Sequence, residues 1–194
     1  MNERGSYTLA EILSQPTIWS DTLEVMRNQS ESLSSFWGQG QFQQVIFTGC
    51  GSTYYLAQFG AALLRSQARI PAHAYPASEL ALFPEACFDP EVNTLLVAVS
   101  RSGETTETLG AVRLFRARYR GRVLAVTCYS ESALAAEADR LIAIDSAREQ
   151  SVAQTRSFSS MALAAQAIAG VFAGQAHDLS PLPAVARRLL NDYQ

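Results

Sequence analysis

From Gln43 onward the chain alternates short apolar, β-branched runs with longer stretches in which apolar residues recur every three or four positions. That alternation is how a parallel sheet joined by crossover helices reads. Five runs predict strands: Gln44–Thr48 (QVIFT), Ala72–Tyr75 (AHAY), Thr94–Val99 (TLLVAV), Arg122–Thr127 (RVLAVT) and Arg140–Ile144 (RLIAI). The third and fourth are almost wholly apolar, as strands covered on both faces must be. Between and after them, helices are predicted over Thr53–Gln67, Ala77–Leu82, Thr105–Tyr119, Ser132–Ala138 and about Arg156–Ala173. The expected fold is a three-layer α/β/α domain around a five-stranded parallel, flavodoxin-like sheet; if its order is 2-1-3-4-5, the switch point lies between the first and third strands.

Ahead of the first strand, Ile18, Leu23, Val25, Met26, Leu33, Phe36 and Trp37 suggest an amphipathic helix that stops near Gly38 and Gly40. Residues 1–40 are therefore read as a helical extension and residues 41–174 as the core domain. Ser and Pro punctuate Gln175–Pro183, and Ala184–Tyr193 has the pattern of a short helix rich in Leu and Arg. Residues 175–194 read as a linker leading to a second domain.

Composition narrows the function classes. The 194 residues are 48% hydrophobic and 17% charged, enough apolar matter for one ordered domain of ordinary size. The net charge is -3, and no cluster of Lys or Arg exceeds the pair Arg187–Arg188, so a nucleic-acid partner is not expected. No charge-free apolar stretch of membrane-spanning length occurs, and the first twenty residues lack a signal-peptide core; the expectation is a soluble, cytoplasmic protein without a membrane partner. Cys50, Cys87 and Cys128 are odd in number, far apart and without CxxC or paired His, which predicts free thiols and no metal. The sequon Asn28–Gln29–Ser30 would matter only on a secreted chain.

Three polar segments carry candidate chemistry. TGCGST (Thr48–Thr53) falls where the first strand turns into a helix; glycine permits the tight turn, and hydroxyls sit beside amides that a helix N-terminus leaves unpaired. A dinucleotide fingerprint is the rival, but Tyr54 occupies the third glycine position and no acidic residue follows the second strand near Tyr75, so neither NAD nor FAD is expected. A turn whose hydroxyls merely cap the helix is the structural alternative. SRSGETTET (Ser100–Thr108) repeats the arrangement after the third strand as a second cradle for an anion, with Glu104 and Glu107 suited to the helix dipole. EQSVAQTRSF (Glu149–Phe158) is polar where the preceding helices are apolar, as a loop over a ligand would be.

Together TGCGST, SRSGETTET and EQSVAQTRSF resemble the sugar isomerase (SIS) domain family over roughly Gln41–Gly174. They are most similar to the first SIS domain of two-domain amino-sugar-6-phosphate isomerases and deaminases, and of the isomerase half of glutamine:fructose-6-phosphate aminotransferase. EILSQPTIW (Glu11–Trp19) resembles the lead-in of the deaminase group. The resemblance implies phosphate contacts from Ser100, Ser102 and Thr105 with backbone help from Arg101 and Gly103, and a ligand-contacting hydroxyl at Thr53 with Ser52 beside it. It places Val152 and Gln154 at substrate-lining positions. VAQT stands here where the aminotransferases more often read VAST, which leaves the sugar open, and Arg101 replaces their usual Gln and suits the isomerase and deaminase group better.

In the two-domain relatives the acid and base come largely from the second domain and from a neighbouring subunit's histidine. Within this chain His73 lies in an apolar strand and His177 in the tail, so Glu149, at the mouth of the crevice, is the best local base, against a reading in which it braces the last helix. The expected function is phosphosugar binding within an isomerase or deaminase that is incomplete in this chain alone, working as a homodimer or larger without cofactors. A non-catalytic phosphosugar sensor and a single-domain enzyme with its site between subunits are the alternatives.

Overall fold

The computed structural model describes residues 5–175 and 177–192. Five parallel strands form one sheet of order β2-β1-β3-β4-β5: β1 (Gln44–Gly49), β2 (Ala72–Pro76), β3 (Thr94–Ser100), β4 (Gly121–Thr127) and β5 (Arg140–Ala143). The α/β class, strand number and order match the expectation.

Successive residues of the strands feed two separate cores, as strand alternation requires. Val45, Phe47, Leu95, Val97, Leu124 and Val126 join one apolar cluster, while Ile46, Leu96, Ala98, Val123 and Ala125 join the other. The first core is covered by α1 (Ser6–Gly40), α2 (Ser52–Leu63) and α7 (Arg156–Phe172). The second is covered by α3 (Ala77–Leu82), α4 (Pro84–Cys87), α5 (Thr106–Arg118) and α6 (Ala133–Ala136). Finally α8 (Leu182–Asp192) packs on α1; Tyr193, the predicted end of that helix, lies outside the described residues.

The N-terminal helix runs unbroken through Pro16. Proline there removes the amide that would bond the Ile12 carbonyl, and the Gln15 side chain supplies the missing donor at 3.2 Å. Ile18, Met26, Leu33 and Phe36 then bury in the main core, so this helix is part of the domain's packing. One π-helical turn, Leu64–Ala68, ends α2, and the short α4 adds a helical turn that the apolar pattern did not predict.

Candidate functional site

In an open parallel sheet the loops at the carboxyl ends of the two strands flanking the switch point diverge to opposite faces and leave a crevice. Here those strands are β1 and β3, and each is followed by a helix-opening turn. The β5–α7 loop rises at the same end of the sheet.

The β3–α5 turn is built around Gly103, whose φ of 67° is left-handed. A Cβ there would also stand 2.1 Å from the Ser132 hydroxyl, so only glycine fits. Ser100, 2% exposed, accepts the Gly103 amide at 3.1 Å and shares a 3.1 Å hydrogen bond with the Thr105 hydroxyl. A hydroxyl pair holds two protons and uses one between its members, leaving the other free. Ser102 accepts the Glu104 amide at 3.2 Å and keeps its own proton. Thr105 is the residue before α5, and its hydroxyl does not cap that helix, so the first amides of α5 stay open to an acceptor. The turn is held from below, where the Arg101 carbonyl accepts the Cys128 amide (3.0 Å) and the Thr127 hydroxyl (3.1 Å). Glu104 accepts the Ala133 amide at 2.7 Å, so its structural role is to cap α6.

The β1–α2 turn uses its hydroxyls differently. Thr53 is buried; its Oγ1 accepts the Cys50 amide and donates to the Cys50 carbonyl, both at 3.0 Å. Gly49 admits this closure, since a Cβ there would meet the Thr53 backbone at 2.7 Å. Ser52 is the exposed hydroxyl of the turn.

In the β5–α7 loop Val152 is 93% exposed, and the Gln154 side-chain oxygen is enclosed without a hydrogen-bond donor. Glu149 does not stand free as a base. Its side chain is fully buried, and one carboxylate oxygen accepts the Thr155 amide (2.6 Å), the Thr155 hydroxyl (2.7 Å) and the Ser157 amide (3.3 Å). The other accepts the Ser157 hydroxyl and lies 3.6 Å from Arg101. A general base needs an oxygen facing substrate; this carboxylate instead braces the N-terminus of α7. The Arg101 guanidinium is likewise committed, donating to the Ser151 and Val152 carbonyls at 3.2 Å each, so it ties the third loop to the β3–α5 turn.

Sequence reasoning missed Glu11. From α1 this buried carboxylate accepts the Gln150 amide (2.6 Å), the Ser151 amide (3.3 Å) and the Ser151 hydroxyl. Burial alone would raise its pKa, but these donors and nearby Arg156 outweigh burial and hold it below the ordinary carboxylate range. A lone acid on the apolar face of an amphipathic helix was the one available signal. Neither histidine is near the crevice: His73 is on the edge strand β2 and His177 follows α7. Two cavities of about 410 and 320 Å³ also lie elsewhere, the first between α1, α7 and residues 177–180 and the second beside β2.

A doubly wound α/β domain with a lysine-free, hydroxyl-rich turn opening a helix at its switch point is the class that sequence and geometry define. Residues 41–170 match the SIS domain, and the chain belongs to that family. It is 34% identical over 203 residues to the glutamine–fructose-6-phosphate aminotransferase (isomerizing) of Symbiobacterium thermophilum, covering 99% of this chain and 32% of that protein. The chain spans 26% to 32% of the length of such aminotransferases. Among solved structures, tagatose-6-phosphate ketose/aldose isomerase from Escherichia coli shares the fold with a TM-score of 0.84 at 24% identity, covering 97% of this chain and 54% of that one. Glucosamine-6-phosphate deaminase from Thermotoga maritima superposes with a TM-score of 0.70 at 29% identity, covering 88% and 55%. Among the described residues no helix is long and apolar enough to cross a membrane.

Proposed function

We propose that this chain is the phosphosugar-binding SIS domain of an amino-sugar or ketose 6-phosphate isomerase or deaminase. It holds the substrate phosphate while a proton moves between neighbouring carbons or an amine leaves. The observation that carries this reading is the β3–α5 turn, where Ser102 and the Ser100–Thr105 pair offer hydroxyl protons beside the open amides of α5. Charge-assisted bonds of this kind contribute about 1.5 to 3 kcal/mol each, with the helix terminus adding roughly 0.3 to 2 kcal/mol, so a dianion can be held without lysine. The unpartnered Gln154 oxygen is an acceptor suited to a sugar hydroxyl or amine, and exposed Val152 supplies an apolar edge beside it.

The proton-transferring groups belong elsewhere in the assembly. Glu149 is occupied and neither histidine is near the crevice, and the resemblance to two-domain enzymes implies a base from a second domain and a neighbouring subunit, which supports this reading. The working form is then a homodimer or larger. Calorimetric titration of glucosamine 6-phosphate and fructose 6-phosphate, beside the unphosphorylated sugars, tests the binding. Strong preference for the phosphorylated forms is expected; equal affinity would end the reading.

That Glu149 is occupied and both histidines lie away from the crevice also favours a second reading, a phosphosugar sensor that performs no chemistry. The reading frame beyond Gln194 separates the two: a second sugar isomerase domain supports the enzyme, and a regulatory module supports the sensor.

A further inference from the structure

The β5–α7 loop has no regular structure between Arg148 and Thr155, so its order comes from side chains that grip it. Two grips act from opposite sides on one short strip of backbone. The Arg101 cation takes the carbonyls of Ser151 and Val152. The Glu11 anion takes the amides of Gln150 and Ser151 together with the Ser151 hydroxyl. Arg101 reaches the loop from the β3–α5 turn, whereas Glu11 reaches it from α1, outside the matched domain and 139 residues away from Gln150 in sequence. Glu11 is 4% exposed, and among the described residues its side-chain hydrogen bonds all go to this loop. Arg156, at the start of α7, donates to Ser14 one turn further along α1 and fixes the helix in register with the loop.

We infer that Glu11 is a positioning residue for the sugar-contacting loop, which makes the N-terminal helix part of the substrate site rather than an appendage to it. The inference rests on the phosphosugar reading above. The phosphate cradle in the β3–α5 turn has its own supports, the Thr127 hydroxyl and Cys128 amide on the Arg101 carbonyl and the Leu134 amide on the Gly103 carbonyl, none of which involves α1. Loss of Glu11 therefore loosens the sugar end of the site and leaves the phosphate end intact. The quantity it controls is the affinity for a phosphosugar relative to that for inorganic phosphate.

The test compares Glu11→Ala, Glu11→Gln and Trp19→Phe in the full chain. Trp19 donates to Ser159 at 2.8 Å and so joins the same two helices without touching residues 150–152. Calorimetry with glucosamine 6-phosphate and with inorganic phosphate is paired with amide hydrogen exchange at Gln150 and Ser151. Glu11→Ala is expected to weaken the phosphosugar about tenfold or more and inorganic phosphate less than about twofold, and to speed exchange at both amides. Glu11→Gln should be intermediate, because its side-chain oxygen still accepts the two amides. Trp19→Phe should match wild type in the affinity ratio. An unchanged ratio in Glu11→Ala, equal weakening of both ligands, or the same loss in Trp19→Phe overturns the inference and leaves the phosphosugar reading standing. A wild type without preference for phosphorylated sugar instead removes that reading, and exchange at Gln150 and Ser151 then decides whether Glu11 holds the loop.

Discussion

The turns after β1 and β3 look alike in sequence, each with glycine and hydroxyls at a strand-to-helix junction on adjacent strands, yet they are built for different work. In the β1–α2 turn Thr53 gives its only proton to Cys50 and takes the Cys50 amide in return, closing the turn on itself. In the β3–α5 turn Ser102 and the Ser100–Thr105 pair keep protons that nothing among the described residues accepts. A hydroxyl with a spare proton at a helix N-terminus is available to an acceptor from outside, and one whose proton is committed acts as a brace. Residue type alone does not separate them; the partner of each oxygen does.

Breaking the two turns by the same substitution gives the largest expected contrast. Gly103→Ala must bear a left-handed φ and a collision with Ser132, a destabilisation of about 2 to 5 kcal/mol. Gly51→Ala also has a positive φ, 59°, but its Cβ would meet nothing within 4 Å, so backbone strain of about 1 to 3 kcal/mol is its whole cost. Chemical denaturation of the two variants reads the difference directly.

Removing hydroxyls should separate binding from folding. Ser102→Ala is expected to weaken phosphosugar binding roughly tenfold to a hundredfold and to change stability by less than about 0.5 kcal/mol. Thr53→Val should do the reverse, costing about 1 kcal/mol of stability through its two lost bonds and changing phosphate affinity by less than about threefold. Titration calorimetry and denaturation on both variants give the cross-comparison, and matching losses in both columns would erase the distinction.

The smallest effect concerns the thiols beside these turns. Burial, with the negative charge of Glu149 adding to it, pushes the Cys128 thiol up to about 12. At pH 8 about one molecule in ten thousand would carry that thiolate, so alkylation should pass over Cys128 and label the half-buried Cys50 of the β1–α2 turn. The sign for stability follows: the unfolded thiol ionises near its ordinary pKa of about 8.5, so this contribution is full below that pH and is lost as pH rises toward 12.

Much of this architecture was legible in the chain. β-branched runs and helical periodicity placed all five strands, because strands buried on both faces leave continuous apolar runs that few other structures produce, while their order came with the flavodoxin-like fold that the family resemblance implies. The three polar loops were legible as well, since hydroxyls and glycines interrupt an otherwise apolar pattern. What the chain did not display was commitment. Glu149 reads as either a base or a brace of the last helix until Thr155 and Ser157 are seen to occupy it, and nothing in the sequence links Glu11 to the third loop until α1 is seen reaching Gln150. Both depend on packing of segments distant in sequence or on the course of an irregular loop, which local propensity does not encode. Pro16 was similarly silent, because its tolerance depends on a neighbouring glutamine reaching back to Ile12.

The central claim is that phosphate is held by the β3–α5 turn and not by its neighbour. Backbone amide chemical shifts of labelled protein, followed during titration with inorganic phosphate and then with glucosamine 6-phosphate, test it most directly. The account predicts that inorganic phosphate moves the amides of residues 101–107 first and most, with residues 50–53 little affected, and that the phosphosugar adds shifts at residues 150–155. Phosphate shifts centred on residues 50–53, or scattered over surface arginines with the 101–107 amides unmoved, would contradict it.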